Sequence, residues 1–186
     1  MDSSQIEAQA KQRMDKALAV VTEELKGIRT GRASAGLLDR VKVDYYGTPT
    51  PIKQLANINV PESQLITISP WDKSTIPAIE KAVQTSDLGI TPSNDGNIIR
   101  LSMPPLTEER RKELSKVVHN QGEESKVAIR NIRRDILEDF KQMKKDGELT
   151  EDDLFREQES IQKVTDKHTQ KVDELVKNKQ NEIMTV

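Results

Sequence analysis

Lys126-Val-Ala-Ile-Arg-Asn-Ile-Arg-Arg-Asp-Ile-Leu-Glu-Asp-Phe-Lys-Gln-Met-Lys-Lys145 is the stretch whose reading decides the fold. Its apolar residues Ile129, Ile132, Ile136, Phe140 and Met143 recur at steps of three and four, which makes one face of an α-helix. At about 100° per residue, Lys126, Arg130, Arg133, Arg134, Lys141, Lys144 and Lys145 fall in one sector beside that stripe. Asp135, Glu138 and Asp139 fall in the opposite sector. A helix that only has to stay soluble more often mixes its signs or pairs them at i,i+4. Segregation gives this helix one cationic side able to follow a phosphate backbone. Periodicity alone favours a merely solvated face, so the rest of the chain has to decide between the two readings.

The chain has 186 residues, between one domain and two, and enough to bury a real core. Charged residues make up 32% and aromatic residues only 3%, a balance that suits long exposed helices better than a compact aromatic-rich globule. With a net charge of −2, any binding to RNA has to use a local patch rather than a general excess of cations. The absence of cysteine excludes disulfides, thiolate chemistry and cysteine-ligated zinc. No apolar run approaches the roughly 20 residues that span a bilayer, and the N-terminus has no signal-peptide core. A soluble, cytoplasmic protein is expected, with no membrane partner.

A first helix is predicted from a cap at Ser3 or Ser4 to about Arg29. Met14, Leu18, Val21, Leu25 and Ile28 form a seam at steps of four and three, and a lone helix of this length is marginal in water without partners. From Ala33 to Pro105 the pattern is β. Val41–Tyr46 reads as a strand followed by a turn at Gly47–Pro51, and Leu55–Val60 and Leu65–Ser69 read as two further strands. Ser74 is expected to cap a short helix with Ile76, Ile79 and Val83 facing inward, and Asn94-Asp95-Gly96 to turn into a strand from Ile98 to Met103. A long helix follows from the Thr107 cap to about Lys145, and a last one starts at the box-like pair Thr150 and Asp153 and ends near Met184. The polar stretch His119–Ser125, with Gly122, is either a close backbone approach or a weak point. The periodicity leaves both open.

Three long amphipathic helices need one another, and the β segment separates one from the other two. The simplest assembly is an antiparallel three-helix bundle with a second domain inserted after the first helix, so that the class is α+β. The bundle takes 1–31 and 106–186, the inserted α+β domain 32–105, and the hinges fall near 30–32 and 103–106, at Thr30-Gly31 and Pro104-Pro105. An intermolecular coiled coil is the alternative. The short connection at Asp146–Thr150 folds the last helix back and favours a monomer.

Catalytic machinery is hard to find. Of the two histidines, His168 lies on the predicted buried seam and His119 in the polar mid-helix stretch, and both read as structural. There is no glycine-rich phosphate loop and no G-x-S-x-G elbow. The acids Glu123/Glu124 and Glu151/Asp152/Asp153 read as helix-surface and helix-start charge. Neither a catalytic residue nor a metal or cofactor is assigned.

Several strings resemble one family. They are Met14-Asp-Lys16, Ile28-Arg-Thr-Gly-Arg-Ala33, Tyr45-Tyr-Gly-Thr-Pro-Thr-Pro51, Pro104-Pro-Leu-Thr-Glu-Glu-Arg-Arg-Lys112, Arg130-Asn-Ile-Arg-Arg-Asp135, Glu151-Asp-Asp153 and Gln162-Lys-Val-Thr-Asp166. Collinear over nearly the whole chain, they are similar to the ribosome recycling factors. The resemblance implies an L-shaped molecule, with a three-helix bundle hinged to an inserted β/α/β domain. It implies a non-enzymatic task too: binding the large subunit of the post-termination ribosome and, with elongation factor G and GTP, splitting the subunits. By motif, the arginines set against ribosomal RNA are Arg29, Arg32, Arg130 and Arg133, with Arg110 and Arg134 as weaker additions. Guanidinium forks suit phosphate oxygens, and with the resemblance the cationic sector reads as an RNA contact. A helical protein that grips a protein client remains the competing class, and it predicts exposed apolar surface and no salt-sensitive affinity for RNA.

Overall fold

The computed structural model describes residues 2–185. The long helices are α1 (Ser3–Lys26), α3 (Glu108–Lys145) and α4 (Glu151–Met184); between α1 and α3 lie six short strands and α2 (Ile76–Gln84). The chain forms two compact units. One holds α1 as far as Leu25 together with Ser115–Gln180; the other holds Lys26–Leu114 and the described residues from Asn181 onward.

In the first unit the three helices close into the expected bundle. Arg13 on α1 pairs with Asp135 on α3 at 2.8 Å, Lys126 on α3 with Asp173 on α4 at 2.9 Å, and Asp15 on α1 with His168 on α4 at 2.8 Å. The Ser160 hydroxyl of α4 also donates to Glu7 of α1. These pairs set the directions: α1 and α4 run parallel, and α3 runs antiparallel to both. Ile6, Ala10, Met14, Val21 and Leu25 of α1 are buried with Ile129, Ile132, Ile136 and Phe140 of α3 and Ile161 and Val172 of α4. Burying a large aliphatic or aromatic side chain such as Phe140 stabilises the fold by about 1.5–3 kcal/mol.

Helix ends follow their local chemistry. Ahead of α1 the cap is Asp2 rather than either serine. Its carboxylate accepts from Gln5 N at 2.8 Å, and Gln5 Oε1 accepts from Asp2 N at 3.2 Å, a reciprocal box that ties two otherwise unpaired amides. α1 stops at Lys26, ahead of Gly27, rather than at Arg29. Thr107 caps α3 through Arg110 N. At the start of α4, Thr150 Oγ1 accepts from Asp153 N at 3.1 Å while Asp153 accepts from Thr150 N at 3.2 Å.

His168 is structural, as its place on the seam suggests. It is buried, with Nδ1 2.7 Å from the Val164 carbonyl and Nε2 2.8 Å from Asp15 Oδ1. That hydrogen bond, more than the neighbouring charges, lowers the Asp15 pKa below the ordinary carboxylate value. A depressed carboxylate pKa contributes stability above the unfolded value, and the contribution is lost as pH falls through the folded one.

The second unit is built on two antiparallel sheets. β1 (Lys42–Tyr45) and β2 (Thr48–Pro51) form a hairpin. β3 (Ala56–Glu62), β4 (Leu65–Pro70), β6 (Ile99–Ser102) and β5 (Pro92–Asn94) form a four-stranded sheet in that order. Strand alternation puts Ile66 opposite Leu101 and Ile68 opposite Ile99, all fully buried, beneath Ile79 and Val83 of α2. The tight turn is Tyr46-Gly47, both at positive φ, as a two-residue hairpin loop requires. Thr48-Pro-Thr-Pro51 is therefore a strand and not the expected turn; its prolines are tolerated because β2 is an edge. Asp72, not Ser74, caps the helical entry to α2, accepting from Ser74 N at 2.9 Å.

The polar stretch in α3 is a close approach. A Cβ on Gly122 would lie 2.4 Å from Val176 Cγ2 on α4. Helix propensity alone would make Gly122→Ala stabilising by roughly 1 kcal/mol, but overpacking against a stiff β-branched neighbour costs about 1–3 kcal/mol. Chemical denaturation should show Gly122→Ala less stable than wild type. Adding Val176→Ala should recover much of the loss; if instead the two changes simply add, the contact is not the cause.

Candidate nucleic-acid interface

The bundle turns the apolar stripe of α3 inward, and that orientation exposes the sector beside it. Arg130, Arg134, Lys141 and Lys145 are exposed, and none makes an ion pair among the described residues. They recur at steps of four, seven and four along about 22 Å of helix. Arg133 is half-buried, and its Nε is out of solvent with no acceptor, so part of this side chain belongs to the packing layer.

Two members of the cationic sector are not available in the same way. Lys126 bonds Glu123 one turn before it, at 2.7 Å, and Asp173 across the bundle, at 2.9 Å. These hydrogen bonds raise its pKa, and the bond to Lys126 lowers that of Glu123. Lys144 pairs with Glu151 at 3.2 Å. The spacing of Glu123 and Lys126 is visible in the sequence, whereas Asp173 and Glu151 arrive from another helix. On the opposite flank, Asp135 is held by Arg13.

The remaining arginines lie in the other unit. Arg32 is exposed. Arg29 is half-buried, and its Nη2 donates to the Pro104 carbonyl at 2.5 Å. Burial, and then the charge of nearby Arg110, lower the Arg29 pKa. Arg29 and Arg110 share the wall of a groove of about 300 Å³ with Ile28, Leu106 and Leu114. Arg110 also pairs with Glu113 at 2.8 Å on an exposed surface, a contact worth little. The structure thus brings Arg29 and Arg110 together, and Arg130, Arg133 and Arg134 together, as two sets. Gly31 is buried at φ 80, next to buried Thr30, while Pro104 and Pro105 are exposed and outside regular structure. The Arg29–Pro104 bond therefore links the two segments expected as hinges, a tie that no motif spacing reveals.

Among the described residues there is no cluster of histidine and acidic side chains placed to hold a metal, and no helix is long and apolar enough to cross a membrane.

The chain order is one long helix, then antiparallel sheets, then two long helices that complete the first one's bundle. That order and its one-sided cationic helix define an α+β protein with an interrupted three-helix bundle. The chain belongs to the ribosome recycling factor family, whose sequence model, described as "Ribosome recycling factor", matches residues 21–184. It is 55% identical over 184 residues to the ribosome-recycling factor of Geobacillus kaustophilus (strain HTA426), covering 99% of this chain and 100% of that one. It is 56% identical over 182 residues to that of Bacillus cereus (strain AH187), covering 98% of each. Among solved structures it resembles a solution structure of the ribosome recycling factor, with a TM-score of 0.84 and 41% identity over 100% of this chain and 99% of the other. A second is described as models for the T. thermophilus ribosome recycling factor and the E. coli elongation factor G bound to the E. coli post-termination complex. It matches with a TM-score of 0.72 and 42% identity over 99% of this chain and 100% of the other.

The unequal burial of the arginines separates structural from surface roles. Arg29→Ala removes a charge-assisted hydrogen bond and should lower stability by about 1.5–3 kcal/mol, while Arg130→Ala should stay within about 0.5 kcal/mol of wild type. Thermal unfolding of both variants tests this; equal midpoints would show that the Pro104 contact carries no weight.

Proposed function

We propose that this protein binds the post-termination ribosome on the large subunit and, with elongation factor G and GTP, drives the subunits apart for a new round of translation. The observation that carries the proposal is the pair of exposed guanidinium groups, Arg130 and Arg134, beside half-buried Arg133 on one side of α3. The relative described in complex with the post-termination ribosome and elongation factor G supplies the setting. Arg130, Arg133 and Arg134, with Arg32 and to a lesser degree Arg29 and Arg110, grip ribosomal RNA phosphates bidentately. The protein itself catalyses nothing in this scheme; the GTPase supplies the free energy. It works as a monomer in the cytoplasm.

Salt dependence tests the contact. Four arginines engaged on phosphates give a slope of log affinity against log salt of roughly −3, taking single-strand and duplex coefficients as limits. Pelleting with purified large subunits across a salt series measures it. A flat response would remove the electrostatic contact and favour a protein client instead.

The hinge is the second element. Gly31, at φ 80, holds a conformation that β-branched residues avoid, and prolines stiffen the other crossing. A permissive segment beside a stiff one gives the inserted domain, 32–105, a restricted swing relative to the bundle, 1–31 with 106–186. In this scheme the GTPase pushes on the inserted domain while the arginines anchor the bundle. Gly31→Val should leave binding to the large subunit near normal and slow subunit splitting. Measured on a variant shown to be folded, undiminished splitting would rule the hinge out.

A further inference from the structure

The flank of the bundle away from the arginines carries a groove of about 290 Å³ between α1 and α3. It exists because Ala17, Val20 and Ala128 are too short to fill the space between the helices, and Val20 is left 58% exposed. The register of the two helices decides what stands at its end. Arg13 pairs with Asp135, and the helices are antiparallel, so Glu24, eleven residues after Arg13, stands level with Glu124, eleven residues before Asp135. Both glutamates line the groove, and neither has an ion-pair partner among the described residues.

Two more polar groups lie in the same wall without partners. Ser125 is 9% exposed, and its Oγ makes no hydrogen bond. Gln121 Oε1, one turn earlier, is also out of solvent and unbonded. An unsatisfied buried polar group costs about 1–3 kcal/mol, and native proteins leave few of them. The carboxylates and Gln121 Oε1 can only accept, and Ser125 can do either. The groove therefore calls for a donor with positive charge and an apolar stem.

We propose that this groove is a binding site for a primary alkylammonium group, of the kind carried by short aliphatic diamines and polyamines. The ammonium, with three N–H donors, sits between Glu24 and Glu124, and its methylene chain lies along Ala17, Val20 and Ala128. Ser125, whose hydroxyl is unbonded, lines the same groove. A bare divalent cation fits poorly, because it needs six or more oxygens and the walls are apolar. The site uses none of the arginines, so RNA and amine would bind without competing for the same side chains.

The test is calorimetric titration of the full chain with putrescine and spermidine, with Mg²⁺ at matched ionic strength as control. Saturable binding at one site per chain is expected. It should weaken at least tenfold in the Glu24→Gln, Glu124→Gln double variant and disappear in Ala128→Leu, which fills the groove without changing charge. If Ala128→Leu does not fold, the double variant, altered only at the groove's rim, carries the test. An additional titration uses Nα-acetyl-lysine methylamide; binding equal to that of putrescine supports the site and assigns it to a lysine of a partner protein, and weaker binding assigns it to free amines. No saturable heat, equal binding in the double variant, or an equal response to Mg²⁺ would each overturn the proposal.

Discussion

The apolar stripe of α1 has no local partner, and the rest of the architecture follows from that. Ile6, Met14, Val21 and Leu25 leave water only by packing against helices that begin at Glu108 and Glu151. The chain between must therefore depart from the bundle and come back to it. A segment that returns in this way can form a core of its own at little cost, because the closure entropy of a long loop grows only slowly with its length. The β strands and α2 provide that core through Ile66, Ile68, Ile79 and Leu101. Polar pairs across the bundle then fix the register that burial leaves loose. Asp15 to His168 and Glu7 to Ser160 share one sequence offset, so both hold the same parallel alignment of α1 and α4.

Charge is distributed by the same geometry. Turning Ile129, Ile132 and Phe140 inward leaves the cations of α3 on one side and Asp135 and Glu124 on the other. The bundle then takes some of those cations for its own use. Lys126 is spent on Asp173 and Glu123, and Lys144 on Glu151. Free guanidinium groups remain where no acid on a neighbouring helix reaches them. Arg130 and Arg134 are exposed, and a guanidinium fork matches the geometry of a phosphate better than a lysine ammonium does.

Much of the fold is legible in the sequence because it is carried by local period and local caps. The stripe of α3, the Thr150–Asp153 box and the burial of Ile76, Ile79 and Val83 are all short-range patterns. Two of the expectations fail, each for its own reason. Asp2 caps α1 in place of a serine because Gln5 reaches back to its amide, and Thr48–Pro51 becomes a strand because an edge needs fewer amide donors. The site is less legible than the fold. The family resemblance points to six arginines, but the bond from Arg29 to Pro104 and the half-burial of Arg133 depend on which segments fold against which. Gly122 is ambiguous in the sequence for the same reason, since Val176 lies on another helix.

The parallel alignment of the first and last helices also orders events in time. Synthesis delivers α1 first, and its apolar face waits until α3 and then α4 have emerged. By contrast, α3 and α4 are joined by a five-residue turn between Lys145 and Glu151 and can pair as soon as both exist, since short closures are fast. The inserted sheets, whose strands pair within one continuous stretch, can condense while the chain is still growing. α1 is thus made before both of its partner helices and docks only once they exist. Until then its apolar stripe has no long helix of the bundle to pack against.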